Sequence, residues 1–281
     1  MRRGRPGLGE ALVAWLVVGL EALATLITYS RLQPELLYNV DDGGDLVSGL
    51  GRTLVLLNYP IALAAVALAV IAGGPRLLVW SAIALCAVTA VPGVVDQDDL
   101  DARWVNAIPA LGVGIAFALT LMAVRRDGAA FVRRARGDRL RLVLVVGLLV
   151  LALPWLAADV GSYFPGDVFM GEEVPAVRDE GLAAVHVGFH HGMGGVVLAL
   201  VALLLSRPPA ARLLRGYLSL MLAYGLALAL QDAWNEQLWK REWVDWHAPS
   251  VIRPDLTVGW LVIVLAASAI YALWFRPGRA G

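Results

Sequence analysis

The chain has 281 residues, 59% of them hydrophobic and 16% charged, with a mean hydropathy of +0.70. A water-soluble domain is nearer half apolar and a quarter charged, so this composition excludes most soluble enzymes. The formal net charge of zero points to no electrostatic partner for the chain as a whole, but it hides an asymmetry between the loops.

Eight apolar stretches can be marked off, at about 10–29, 53–72, 77–95, 105–124, 142–158, 182–205, 213–232 and 257–275. Each is long enough to cross about 30 Å of hydrocarbon at about 1.5 Å per residue. They predict an all-α fold: a polytopic membrane bundle of eight helices in which residues 1–281 form a single transmembrane domain. Sorting the loops by side puts 16 basic and three acidic residues on the side of the N-terminus, against seven basic and 19 acidic ones on the other. The positive-inside rule then predicts a plasma-membrane protein with both termini in the cytoplasm.

In chain order, the first span carries Glu21, about 16 Å along a helix that begins near Glu10 and therefore close to the bilayer midplane. A carboxylate at that depth needs a partner or a proton, and it can serve proton or cation coupling or a hydrogen bond to a neighbouring helix. In the second span Asn58 precedes Pro60, which can kink the helix and free a carbonyl. The single cysteine, Cys86, falls within the third span, so no intrachain disulfide forms, and it reads as a packing residue. Asp96, Asp98, Asp99 and Asp101 form a solvated acidic loop without the EF-hand pattern. The Arg-rich connection from Arg125 to Arg141 reads as a stop-transfer anchor and a surface for anionic lipid headgroups. It lacks aromatic interleaving, so nucleic acid is not a predicted partner.

Three of the four histidines lie in His186-Val187-Gly188-Phe189-His190-His191, near the outer end of the sixth span. At about 100° per residue His186 and His190 share a face, His191 lies between faces, and Gly188, Gly192 and Gly195 form a stripe on nearly the opposite side. Such a stripe lets a neighbouring helix approach closely. Two imidazoles at i, i+4 can converge on zinc or another divalent transition metal, and a catalytic site needs a third ligand and an open position. The seventh span ends in Asp232 and Glu236, also i, i+4, and consecutive antiparallel helices are usually neighbours. The expected site takes His186, His190 and Asp232 as metal ligands and Glu236 or Asp159 as general base, with Asn58 nearby. The plain alternative is a set of histidines that hydrogen-bond across helices.

Trp239, Trp243 and Trp246 share a helical face, which predicts an interfacial helix on the outer side, ended by Pro249 and Pro254. Trp104, Trp155, Trp234 and Trp260 would add to the outer aromatic belt, and Trp80 and Trp274 would mark the inner boundary. No Walker loop, Gly-x-Ser-x-Gly elbow or His-Glu-x-x-His is present. Intramembrane histidines beside acids resemble the chemistry of the seven-helix ceramidase and adiponectin-receptor superfamily, membrane hydrolases with a His-ligated zinc. The order differs: here the pair stands on the sixth of eight spans and the last span has no histidine. The leading expectation is a metal-dependent hydrolase or transferase acting on a lipid or envelope substrate. An ion- or proton-coupled transporter that relays through Glu21, and a sensor or assembly subunit docking a partner through the Trp-rich helix, stay open.

Overall fold

A computed structural model of the chain describes residues 4–31, 44–91, 93–95, 102–159, 191–239 and 243–276. The elements are β1 (Arg5–Pro6), α1 (Leu8–Arg31), α2 (Leu46–Leu56), α3 (Ile61–Ala72), α4 (Arg76–Ala87), α5 (Ala107–Asp127), β2 (Ala129–Ala130), α6 (Asp138–Asp159), α7 (His191–Leu205), α8 (Arg212–Trp234) and α9 (Val258–Ile270). Five helical segments are long and apolar enough to cross a membrane, and a sixth is added if the bent pair α2 and α3 counts as one. The chain is thus an all-helical protein with several helices of membrane-spanning length.

The helices are amphipathic in the sense that suits lipid. On α1, Leu16, Leu20, Leu23 and Ile27 repeat at helical spacing and are exposed, whereas Glu21, Thr25 and Thr28 are buried on another face. A water-soluble helix would present the opposite pattern, because exposed apolar rows cost free energy in water and none in hydrocarbon. The same outward apolar rows occur on α6 (Leu142, Val146, Leu149, Leu153) and α9 (Leu261, Val262, Leu265).

The centre of the bundle is the antiparallel pair α7 and α8. A Cβ on Gly195 would lie 2.5 Å from the Gly225 carbonyl oxygen, and one on Gly225 would lie 2.6 Å from that of Gly195. Backbone therefore meets backbone at this crossing, the close approach that small residues permit in membranes. A similar contact sets α5 on α4, where a Cβ on Gly112 would meet Cys86 Sγ at 2.7 Å. Cys86 is accordingly a buried packing residue.

The second predicted span is not one continuous helix. It begins earlier, at Leu46, where exposed Asp45 accepts the Ser48 N–H at 2.7 Å, a bond that holds its carboxyl below the usual range. It then breaks over 57–60 and turns by 59° into α3. Pro60 has no N–H for the Leu56 carbonyl, which takes the Tyr59 N–H at 3.2 Å instead. The Asn58 side-chain amide donates to Leu54 O at 2.7 Å, and its freed carbonyl accepts the Thr89 hydroxyl. The third predicted span, 77–95, is shorter than expected: α4 passes into a 3-10 turn and stops at Ala90. Val91 is extended, as a residue preceding a proline tends to be.

The predicted Trp-rich interfacial helix is corrected. The chain runs from α8 into a π-turn over Asn235–Trp239, and the described residues from Trp243 to Thr257 are not helical. They form a strap folded back on the end of α8. The Asn235 amide pairs with both backbone groups of Ala248, at 3.1 and 2.7 Å. The Trp234 ring packs on Trp246 with centroids 4.5 Å apart and donates to its carbonyl. Side-chain amides that match backbone groups compete with helical bonding, and Pro249 removes a further donor.

One end of the bundle gathers the arginines. β1 pairs with β2, and Arg5 donates to the carbonyls of Ile71 and Ala72 at the end of α3. Glu10, wholly buried at 0% exposure, accepts from Arg207 Nη1 at 3.1 Å and from the Val132 N–H at 2.9 Å. Arg207 also donates to Asp138 and to the Val132 carbonyl. Arg141 donates to Ser206 and Arg136 O while lying over the Trp274 ring. Arg215 donates to the Phe275 carbonyl. This basic end thus contains the first strand, the 128–137 connection, the α7–α8 turn and the end of the last helix.

Candidate functional site

The opposite end of α8 lies about 30 Å away, some 20 residues at about 1.5 Å each. There Asp232 Oδ2 accepts the Gly192 N–H at 3.2 Å, and Glu236 Oε2 accepts the Trp155 Nε1–H at 3.0 Å. Two carboxylates, Asp232 on the last turn of α8 and Glu236 in the π-turn that follows it, therefore face two different helices, α7 and α6. The Gly192 amide thus gives Asp232 a backbone donor from α7. A Cβ on Gly192 would overlap both Asp232 Oδ2 and the Trp155 indole, so only glycine fits.

Glu236 is 1% exposed and Trp155 is 1% exposed. The donor aimed at the Glu236 carboxylate fixes its orientation within the packed junction. The π-turn that follows α8 is what brings Glu236 inward, since it inserts an extra residue per turn relative to an α-helix. Asp232 is half-buried, as is His191, the first described residue of α7. The arrangement can hold a carboxylate in the bundle interior beside a second, more accessible one.

His186 and His190 lie outside the described residues. Asp159 is the last residue of α6, and its side-chain surroundings lie outside them too. Among the described residues no three His, Cys, Asp or Glu side chains are placed to hold a metal ion. The structure brings Asp232 and Glu236 to the helix that carries His191 and to α6. Asn58 is buried, its side-chain amide bonds within α2, and its backbone carbonyl accepts the Thr89 hydroxyl. Glu21 is buried on α1.

Trp155 is the contributor that the sequence misassigned. It is not in an outer belt but packed inside, whereas Trp104 is 95% exposed. Pattern gives little warning, because a tryptophan near a helix end suits both a membrane interface and a buried N–H donor. Trp155→Phe keeps most of the ring volume and removes the donor, so it is expected to lower stability by about 1–3 kcal/mol. A thermal midpoint equal to that of the unaltered protein would show that the bond contributes nothing.

Compared with known protein families, curated proteins and solved structures, the chain matches none.

Proposed function

We propose that this chain is a multi-pass plasma-membrane protein that crosses the bilayer eight times with both termini cytoplasmic. In this reading its outward end binds a divalent transition metal, zinc above all, through His186, His190 and Asp232. The chemistry is metal-assisted hydrolysis or group transfer on a lipid or envelope substrate. The observation behind the reading is that Asp232 and Glu236 meet α7 and α6 at the end of the bundle away from the arginines, next along the chain from the histidine pair. Helical spacing sets that pair opposite Gly192, so the site requires the chain before His191 to depart from that spacing. The gathering of arginines at the other end supports the orientation.

A bound metal would polarise a substrate ester, amide or phosphoryl oxygen and lower the pKa of a water. Glu236 or Asp159 would accept the proton of that water, and His191 would line the approach. The test is elemental analysis of the purified full chain beside His186→Ala and His190→Ala, followed by assays of lipid hydrolysis. Near-stoichiometric metal that both substitutions remove is expected, with hydrolysis lost in His190→Ala and folding retained. Unchanged turnover in that variant would remove the site.

A second reading rests on a different observation, the 59° break at Asn58–Pro60 in a membrane-length segment. Broken helices are recurrent in transporters, and the buried Glu21 supplies a group for ion or proton coupling. A protein without metal, with ion flux in proteoliposomes that Glu21→Gln abolishes, would favour this reading over the first.

A further inference from the structure

Two sets of arginines stand out at the basic end. Arg5, Arg141, Arg207 and Arg215 donate to backbone carbonyls, and Arg207 also to the buried Glu10. Arg133, Arg134, Arg136 and Arg139 are exposed, and none forms an ion pair with a described carboxylate. Their backbone is nevertheless held. The 128–137 connection is pinned by the β1–β2 pairing, by Glu10 and Arg207 on the two backbone groups of Val132, and by Asp138 on the Ala135 N–H.

Arg139 also heads an apolar row. Leu142, Val143, Val146, Leu149, Val150 and Leu153 follow it on the same side of α6, and all are exposed. Four exposed cations, three on a held backbone and one at the head of an outward-facing apolar row, complement one kind of molecule. That molecule has an anionic headgroup and acyl chains, because the charge and the apolar row would be satisfied together.

We propose that Arg133, Arg134, Arg136 and Arg139, with the apolar row of α6 below them, form a binding surface for an anionic phospholipid. The guanidinium groups hold the headgroup phosphate, for which their planar donors are suited, and the acyl chains lie along Leu142, Val146 and Leu153. The surface is at the far end of the bundle from Asp232 and Glu236, so it stands whether or not that end binds a metal.

The test uses the full chain in detergent, titrated with phosphatidylglycerol or phosphatidylcholine and read by native mass spectrometry. Phosphatidylglycerol is expected to bind preferentially, with an affinity that falls as salt is raised. Each arginine near the surface is worth about fivefold in affinity, so R133Q/R134Q/R136Q/R139Q should lose on the order of a hundredfold or more. R76Q/R212Q/R276Q, which removes exposed arginines elsewhere at this end, should lose far less. R139Q alone alters no described side-chain hydrogen bond and should lose about fivefold, which keeps the test decisive if the quadruple variant folds poorly. Equal binding of phosphatidylcholine, equal losses in both sets of variants, or competition by inorganic phosphate alone would each overturn the proposal. So would retention of an RNA oligomer in place of lipid.

Discussion

Arg207→Ala is expected to destabilise the protein by about 3–5 kcal/mol, because it leaves a buried carboxylate without its counter-charge. Glu10 has no exposed surface, and one of its oxygens is shared between Arg207 at 3.1 Å and the Val132 N–H at 2.9 Å. Arg207 itself keeps 22% of its side chain exposed, so its own desolvation is incomplete and its removal mainly harms Glu10. The loss should spread: Arg207 also bonds Asp138 and Val132 O, so the 128–137 connection would loosen from α1 and α6 together. Thermal unfolding in detergent measures the effect. Glu10→Leu combined with Arg207→Met should recover a large part of it, since replacing a buried ion pair by apolar groups of similar volume is often neutral. Arg126→Ala, which breaks an exposed pair with Asp127, should leave the midpoint unchanged. If Arg207→Ala behaved like Arg126→Ala, Glu10 would not be acting as a buried charge.

At the α7–α8 crossing, Gly225→Ala is expected to cost about 1–3 kcal/mol and Gly225→Leu at least as much. The added Cβ would lie 2.6 Å from Gly195 O and 2.8 Å from the Ala199 nitrogen, both backbone atoms that no side-chain rotation can move. The helices must therefore separate, and the contacts that hold the most buried helix of the bundle would be lost along their length. Gly195→Ala should act alike, with the Gly225 carbonyl at 2.5 Å. Gly216 gives the internal comparison, since a Cβ there meets nothing within 4 Å. Gly216→Ala should be neutral or stabilising by up to about 1 kcal/mol through helix propensity. Equal thermal midpoints for the Gly225 and Gly216 variants would refute a backbone contact at the crossing.

Several features of this architecture are legible from local pattern. The apolar runs mark the helices, since a run of that length has few alternatives to a helix once backbone groups must be satisfied without water. Pro60 marks a break because it removes a donor wherever it stands. The glycine stripe marks a close approach, seen at Gly192 against Asp232 and Trp155 and at Gly195 against Gly225. Asp232 meets the next helix back in the chain because short turns make antiparallel neighbours, here through Ser206–Ala211.

Other features have no local signature. Glu10 reads as one more charge beside a basic N-terminus, yet it is buried because Arg207, 197 positions away, reaches it. Arg141 belongs to the same Arg-rich run as Arg139, but Ser206 and Trp274 draw one inward while the other stays exposed. The helical spacing of Trp239, Trp243 and Trp246 is real, but Asn235 and Trp234 bind the backbone at Ala248 and Trp246 and hold the segment as a strap.

The sequence by itself determined that the chain is a helical protein with apolar helices of membrane length, and where a proline interrupts one of them, because hydrophobic period and backbone donors act within a few residues. Only the tertiary structure decided which charges are buried, which tryptophan turns inward and which arginines stay exposed. Those outcomes depend on desolvation and on partners far away in the chain, and no window of neighbouring residues contains both members of such a pair.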